Sequence, residues 1–284
     1  MTESLGSKPP ARPSGEPAAP GRVAALFDVD NTILRGASVF HLGVGLFRRR
    51  LVSARDIARF SWLNLRYELF GESSGGVSTT RTRSLDAIKG QPVAQMVAVA
   101  EQVWDQVLVG RIFPGAKDLV DQHLARGHEV WLISASPTAV VELVAARVGA
   151  TGGLGTQAEA VDGYFTGQLV GGLLHGPAKA TAALELASLR GIDLAASYAY
   201  GDSANDIPIL SAVGHPCGIN PDRRLRRYCR EHRWPVREFR DKRRAVRRSL
   251  RAASRVGAVW AAWIVAQRLV RGFTRRPAKK NSRR

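Results

Sequence analysis

Two aspartates separated by one residue follow a short apolar run near the start of the chain. The run extends from Arg22 to Asp28, and the second aspartate is Asp30. Because side chains alternate along a strand, both carboxylates should point to the same side of the strand end. Such a pair suits phosphoryl transfer, since one carboxylate can attack phosphorus while the other delivers a proton to the leaving oxygen.

The pair also has structural explanations. A calcium loop of the EF-hand type needs Gly at its sixth position and Glu at its twelfth. Counted from Asp28, these positions hold Ile33 and Val39, which excludes a calcium loop. Considered alone, the aspartate pair could also belong to a structural turn without a catalytic role.

A second acidic group, Gly201-Asp202-Ser203-Ala204-Asn205-Asp206, follows another apolar run. Asp202 would add a third carboxylate, and Mg²⁺ prefers a few carboxylates together with water and substrate phosphate. Asp206 lies about one helical turn further along. The alternative here is an ordinary helix start at which Asp202 or Ser203 is the N-cap.

Two polar side chains lie between the acidic groups. Ser134 ends an apolar run and is followed by Ala135, and a strand-to-helix junction of this kind offers a hydroxyl and backbone N–H groups to a phosphate oxygen. Lys179 could neutralise charge that develops on a transferred phosphoryl group. Taken singly, a serine before a helix and a solvated lysine are the ordinary alternatives.

The elements that must position these residues alternate between strands and helices. Apolar runs at 22–28, 129–134 and 196–202 predict strands. Helical stretches at 116–126 and 178–190 precede two of them, and each ends at a glycine, Gly127 or Gly191. This alternation predicts an α/β fold with a Rossmann-like parallel sheet and helices on both faces. Ligands bind such sheets at the carboxyl ends of the strands.

The segment 38–110 has a different pattern, with helical periodicity at 39–47, 54–70, 78–89 and 93–107. We interpret it as a helical cap inserted after the first strand. The predicted α/β core then comprises 22–37 and 111–239, and its glycine-rich stretch 152–174 predicts a hairpin.

Composition restricts the class of protein. The 284 residues are enough for a sizeable core, and residues 1–21, rich in Pro, Ala, Ser and Gly, predict a disordered tail without a signal-peptide core. The two cysteines, Cys217 and Cys229, do not form a metal-ligand set and are typical of a reducing compartment. We therefore expect a cytoplasmic protein.

The formal charge of +18 is concentrated at one end of the chain. Residues 221–284 hold 23 Lys and Arg against 4 Asp and Glu, and 240–284 reads as a basic amphipathic segment. Its apolar run, 256–267, has 12 residues and is shorter than the roughly 20 that a membrane span needs.

Three interpretations of the segment 240–284 stay open. It could be an interfacial helix at an anionic membrane surface, which would give a peripheral location. It could also be a helix docked on the protein itself or on a second subunit, or a nucleic-acid contact attracted by charge. The last is disfavoured because Trp260 and Trp263 lie in the apolar run, away from most arginines.

In their order along the chain, the motifs resemble those of the haloacid-dehalogenase-like phosphatase superfamily. The resemblance covers roughly residues 23–220 and consists of Asp28-x-Asp30-x-Thr32, a strand-end Ser134, a helical Lys179 and Gly201-Asp202-x-x-x-Asp206. The helical insertion is similar to the small cap of the phosphoserine-phosphatase-like branch. The resemblance implies an Mg²⁺-dependent phosphomonoester hydrolase that acts through an aspartyl-phosphate on a small phosphorylated substrate.

The resemblance also implies residue roles. The implied catalytic residues are Asp28 as nucleophile, Asp30 as acid and base, and Lys179. The implied phosphate or substrate ligands are Thr32, Ser134, Ala135 and Asn205, with Lys179 also near the phosphate. The implied metal ligands are Asp28, Asp30 through its backbone carbonyl, and Asp202, with Asp206 behind them.

One departure from that branch concerns the substrate. Phosphoserine phosphatases carry a glutamate shortly after the Asp-x-Asp-x-Thr run to hold the substrate amino group, whereas this chain reads Arg35-Gly36-Ala37-Ser38. We therefore expect a small phosphorylated metabolite or a lipid head group other than phosphoserine. There are two alternatives: a phosphotransferase, and a membrane-associated binding protein with a decayed site.

Overall fold

The structure is a computed structural model that describes residues 21–50 and 88–240. Its first part contains β1 (Ala24–Phe27), α1 (Ser38–Arg48), α2 (Val93–Val103), a π-helical turn (Trp104–Leu108), a 3-10 turn (Val109–Arg111), α3 (Pro114–Ala125), β2 (Glu129–Pro137) and α4 (Thr138–Val148). The chain continues with β3 (Gly152–Thr156), β4 (Ala158–Val161), β5 (Tyr164–Leu169), α5 (Pro177–Arg190), β6 (Tyr198–Gly201), a 3-10 turn (Ala204–Asp206), α6 (Ile207–Ser211), β7 (His215–Ile219), α7 (Arg223–Glu231) and β8 (Val236–Arg237).

The main sheet has six strands in the order β3-β2-β1-β6-β7-β8, and all neighbouring pairs are parallel. Alternate residues of β1 enter two separate apolar clusters. Ala25 and Phe27 pack with α1 to α4, whereas Ala24 and Leu26 pack with α5 to α7. The sheet is thus covered by helices on both faces, which confirms the predicted α/β architecture.

Local sequence explains where the helices begin and end. Proline stands in the first turn of α3 and of α5, where its missing N–H costs no helical hydrogen bond. Gly149 and Gly191 end α4 and α5 in the left-handed conformation that glycine adopts without strain. Gly45 has another role, because a Cβ there would lie 2.4 Å from Val103 Cγ2, so glycine permits the close approach of α1 to α2.

The prediction of a hairpin over 152–174 was wrong in its first part. Residues 152–156 form β3, which pairs in parallel with β2, and only β4 and β5 form an antiparallel hairpin. The glycines there serve close packing, since a Cβ on Gly155 would lie 2.6 Å from Thr138 Cα. A glycine-rich sequence generally predicts turns, but here the absence of side chains lets the edge strand β3 pack closely against α4.

Several predictions fall partly or wholly outside the described residues. These are the predicted tail 1–21, the helices at 54–70 and 78–89, and the basic segment 240–284. The predicted helix 93–107 is α2 followed by the π-helical turn. Across the described ranges, no helix is both long and apolar enough to cross a membrane.

Candidate active site

The candidate residues gather at the carboxyl end of the three central strands. Asp28 follows β1, Ser134 is the sixth of the nine residues of β2, and Asp202 follows β6. Because β2, β1 and β6 are parallel neighbours, their carboxyl ends meet at one edge. The backbone N–H of Asp28 donates to the Tyr200 carbonyl at 2.9 Å, which extends the pairing of β1 with β6 to the aspartate itself.

Lys179 joins two carboxylates at this edge. It lies in the first turn of α5, and its Nζ is 2.6 Å from Asp28 Oδ1 and 2.7 Å from Asp206 Oδ1. The lysine side chain is only 4% exposed. Burial by itself would lower the pKa of Lys179, but Asp206 and Asp28 outweigh burial and raise that pKa above its ordinary value. The lysine is therefore a permanent buried cation.

The two carboxylates respond differently to this environment. Burial raises the pKa of Asp28 to about 7, with Lys179 acting in the opposite direction and Asp206 adding to the rise. For Asp206, burial is outweighed by Lys179 and by hydrogen bonds from Ser203, so its pKa is lowered. Asp206 is thus the firmly ionised partner of the lysine, and Asp28 is the carboxylate whose ionised form needs further stabilisation.

The second oxygen of Asp206 holds the loop that carries Asp202. Asp206 Oδ2 accepts hydrogen bonds from the Asp202 N–H at 3.1 Å, the Ser203 N–H at 3.1 Å and the Ser203 hydroxyl at 3.2 Å. Gly201 is required beside it, because a Cβ there would lie 2.5 Å from Asp206 Cβ. The motif from Gly201 to Asp206 is therefore one compact unit in which Asp206 shapes the loop.

The carboxylates supply a donor set for a metal ion. Oxygen atoms of Asp28, Asp202 and Asp206 all lie within 4.8 Å of one another. A set of carboxylate oxygens fits a hard cation such as Mg²⁺. One oxygen of Asp206 accepts a hydrogen bond from Lys179 and the other accepts one from the Asp202 N–H.

Asp30 is held in place by two serines. Its Oδ1 accepts the Ser38 N–H at 2.8 Å, and its Oδ2 accepts the Ser136 hydroxyl at 3.3 Å. The hydroxyls of Ser38 and Ser136 are themselves 2.9 Å apart. Burial raises the pKa of Asp30 against the lowering effect of these hydrogen bonds. A raised pKa favours the protonated carboxyl, which is the form that can protonate a leaving group.

Ser38 and Ser136 were not among the residues that the sequence singled out. Ser136 could have been found, because it lies two residues after Ser134 in the same strand and so on the same face. Ser38 is the first residue of α1, and its contact with Asp30 depends on how the loop after β1 folds. Through these serines, the start of α1 is fastened to β1 and β2.

The loop after Asp30 is shaped by Asn31, whose φ of 61° is in the left-handed region that asparagine tolerates better than most residues. Asn31 Oδ1 accepts the Gly36 N–H at 3.1 Å, and its carbonyl accepts the Asn220 side-chain amide at 3.1 Å. Asn220, at the end of β7, was also missed in the sequence. Thr32 Oγ1 is buried and has no hydrogen-bond partner among the described residues.

The remaining predicted ligands lie around the same edge. Ser134 is 2% exposed, and its Oγ accepts the Ser136 N–H at 3.2 Å. The Ala135 carbonyl accepts the Thr156 hydroxyl at 2.8 Å, which ties the end of β2 to β3. Asn205 lies half-buried in the 3-10 turn between Asp202 and Asp206. All the residues named in advance are thus found at the carboxyl edge or in the loops and helix starts beside it.

Comparison with known proteins identifies the family and several relatives of this chain. A family model for haloacid dehalogenase-like hydrolases matches residues 25–211. A Mycobacterium tuberculosis protein named phosphoserine phosphatase is 44% identical over 236 residues, covering 83% of this chain and 77% of that protein. A probable phosphatase of the same organism is 34% identical, with 81% of this chain and 80% of that protein covered.

Solved structures show the same fold. A Bordetella pertussis protein of unknown function superposes with a TM-score of 0.69 at 27% identity, covering 78% of this chain and all of that chain. A phosphoserine phosphatase solved with an analogue of its phospho-aspartyl intermediate gives a TM-score of 0.56 at 16% identity, covering 81% and 99%. At that identity the likeness concerns the fold alone.

Proposed function

The chain belongs to the haloacid dehalogenase-like hydrolase family, and we propose that it is an Mg²⁺-dependent phosphomonoester hydrolase that forms an aspartyl-phosphate on Asp28. The observation that carries the proposal is the buried contact of Lys179 with Asp28 and Asp206 at the sheet edge. This contact supports the proposal because the Asp28 carboxylate lies beside a buried cation that can balance the charge of a phosphoryl group.

The chemistry follows in two halves. First, a carboxylate oxygen of Asp28 forms a bond to phosphorus, the ester P–O bond breaks, and Asp30 gives its proton to the leaving oxygen. Then Asp30, now ionised, takes a proton from water as the water oxygen attacks phosphorus. The P–O bond to Asp28 breaks, and inorganic phosphate leaves. Ser38 and Ser136 keep the Asp30 carboxyl in place during both halves.

A magnesium ion has a fitting set of ligands in this site. Asp28 and Asp202 would hold it, together with the backbone carbonyl of Asp30, and Asp206 would support the Asp202 loop. When bound, the ion neutralises phosphate oxygens and favours the ionised form of Asp28. Lys179 balances the remaining negative charge of the carboxylates.

We also propose that the substrate is a small phosphorylated metabolite or a lipid head group other than phosphoserine. Residues 31–50 contain no Asp or Glu, and the first turn of α1 has no acidic residue. Instead, His41 Nε2 and Arg111 Nη1 lie 3.8 Å and 3.9 Å from the point where a side chain on Gly36 would begin. Burial and Arg111 lower the pKa of His41, so Arg111 is the cation of this pair, and it would repel a substrate ammonium group.

The test is a panel of matched phosphomonoesters with Mg²⁺: glycerol phosphate, phosphoglycerate, phosphoethanolamine and phosphoserine. We expect phosphate release from the panel to stop in Asp28→Asn, and activity that survives this substitution would refute the nucleophile. Because a relative is named phosphoserine phosphatase, phosphoserine is the decisive comparison. If it is the best substrate, the proposal about substrate choice fails while the phosphatase proposal stands. Release of less phosphate than ester consumed would indicate transfer to an alcohol.

A further inference from the structure

Helix α7 carries a dense surface of arginines. It buries Leu225 and Cys229, both 0% exposed, against the sheet. All five arginines of the helix face solvent, and a further exposed arginine, Arg233, follows it. We term the set the arginine face, and it consists of Arg223, Arg224, Arg226, Arg227, Arg230 and Arg233.

Acidic neighbours neutralise only part of this face. Arg226 pairs with Glu238, and Arg227 pairs with Glu231 at 2.7 Å. The other four arginines of the face have no ion pair within the part of the chain that the structure describes. Asp222 is occupied as the N-cap, where it accepts the Leu225 N–H at 2.7 Å and the Ala204 N–H at 3.1 Å. The face therefore has a strong net positive charge.

The stability of the fold does not explain this arrangement. Arg223 and Arg224 lie in the first turn of α7, where the helix dipole disfavours cations. Arg223 and Arg227 are four residues apart, as are Arg226 and Arg230, and like charges at that spacing repel. An anionic partner would remove the repulsion, which gives the arginines a reason to be grouped there.

Two observations distinguish between anionic partners. The nearby aromatic rings pack on one another, with Tyr228 and His232 centroids 3.8 Å apart and Tyr228 and Trp234 centroids 5.0 Å apart, so the ring faces that meet are not available for stacking bases. Beyond Phe239 the chain enters 240–284, which contains 16 Lys and Arg against one Asp, together with Trp260 and Trp263. Arginines combined with tryptophans are typical of segments that bind anionic lipid.

We propose that the arginine face binds the surface of an anionic phospholipid membrane. The proposal does not depend on the enzymatic activity, because none of these arginines belongs to the site at the sheet edge. It also differs from membrane binding by 240–284, since it assigns a contact to side chains of the folded α/β body.

The test compares two variants of the full chain with the same change in charge. The first combines Arg223→Gln, Arg224→Gln and Arg230→Gln. The matched control combines Arg48→Gln, Arg49→Gln and Arg50→Gln, at positions that are also exposed. Partitioning is measured by flotation with vesicles of equal parts phosphatidylcholine and phosphatidylglycerol, and with pure phosphatidylcholine vesicles.

Each basic residue at an anionic surface contributes about fivefold to partitioning, so the first variant should bind at least about tenfold more weakly. The control should change by less than about threefold. Equal losses in both variants, no loss in the first, or equal binding to pure phosphatidylcholine would overturn the proposal. A duplex oligonucleotide is the second probe: tighter binding to it than to vesicles at the same salt, lost in the first variant, would replace lipid by nucleic acid.

Thermal unfolding keeps the comparison interpretable. Because the first variant removes like-charge repulsion, its melting temperature should equal or exceed that of the wild type. A clear decrease would assign the arginines to folding and would also overturn the proposal.

Discussion

Replacing Lys179 by methionine is the substitution whose effect is best determined by the geometry. Lys179 Nζ contacts Asp28 Oδ1 at 2.6 Å and Asp206 Oδ1 at 2.7 Å, and all three side chains are at most 9% exposed. Methionine has a similar length but no charge. Lys179→Met therefore leaves two buried carboxylates next to each other without a cation.

Removing one member of a buried ion pair typically costs about 3–5 kcal/mol, because the remaining charge stays desolvated. For a domain of this size we expect the melting temperature to fall by roughly 6–20 °C. The pH dependence has a definite sign. Without the lysine, the folded pKa of Asp28 rises further above its unfolded value, so folding binds a proton and is favoured at low pH. The deficit relative to wild type should thus be smaller at pH 5 than at pH 8.

Urea unfolding followed by tryptophan fluorescence measures this loss. Lys117→Met is the matched control, because Lys117 pairs with Asp121 on the surface, where such a pair contributes only about 0.2–1 kcal/mol. Adding Asp206→Asn to Lys179→Met should restore much of the lost free energy of unfolding, since it removes one unpaired charge. A Lys179→Met deficit no larger than that of Lys117→Met, or one that grows towards acidic pH, would refute the reasoning.

Three further predictions concern catalysis, metal binding and acid stability. Asp30→Asn should slow hydrolysis of alkyl phosphates by about 10²–10⁴-fold. Hydrolysis of p-nitrophenyl phosphate should slow much less, because p-nitrophenolate leaves without a proton. Equal losses in the steady-state rates of both substrates would argue against the acid role. Mg²⁺ at 100 times its Kd should stabilise the wild type by about 2.7 kcal/mol, and Asp202→Asn should lose most of that gain in thermal unfolding. Burial and the neighbouring His128 lower the pKa of His123 to about 4. The unfolded chain, with a histidine pKa near 6.5, therefore binds more protons between these values, so stability should fall as pH drops through this window. The non-titrating His123→Gln should make that fall about 3 kcal/mol smaller in urea unfolding; an unchanged fall would contradict the shift.

Patterns within short stretches of sequence were sufficient for the central strands and several helices. The apolar runs before Asp28, Ser134 and Asp202 each correspond to an observed strand. Strand β7 was missed, because His215, Pro216 and Gly218 break the apolar pattern by which a buried strand is recognised. Strand β7 pairs with β6 on one side and β8 on the other. The sequence of its own five residues gives no information about these neighbours.

The sequence by itself determined which residue types stand at the strand ends and in which order, because side-chain alternation and helix capping act over a few residues. Only the tertiary structure decided how those groups pair. Lys179 could have met any of the aspartates, and it contacts Asp28, 151 residues away, while Asp30 is held by two serines instead. The physical reason is that contact between distant residues depends on how the strands and helices pack, and local preferences do not specify that packing.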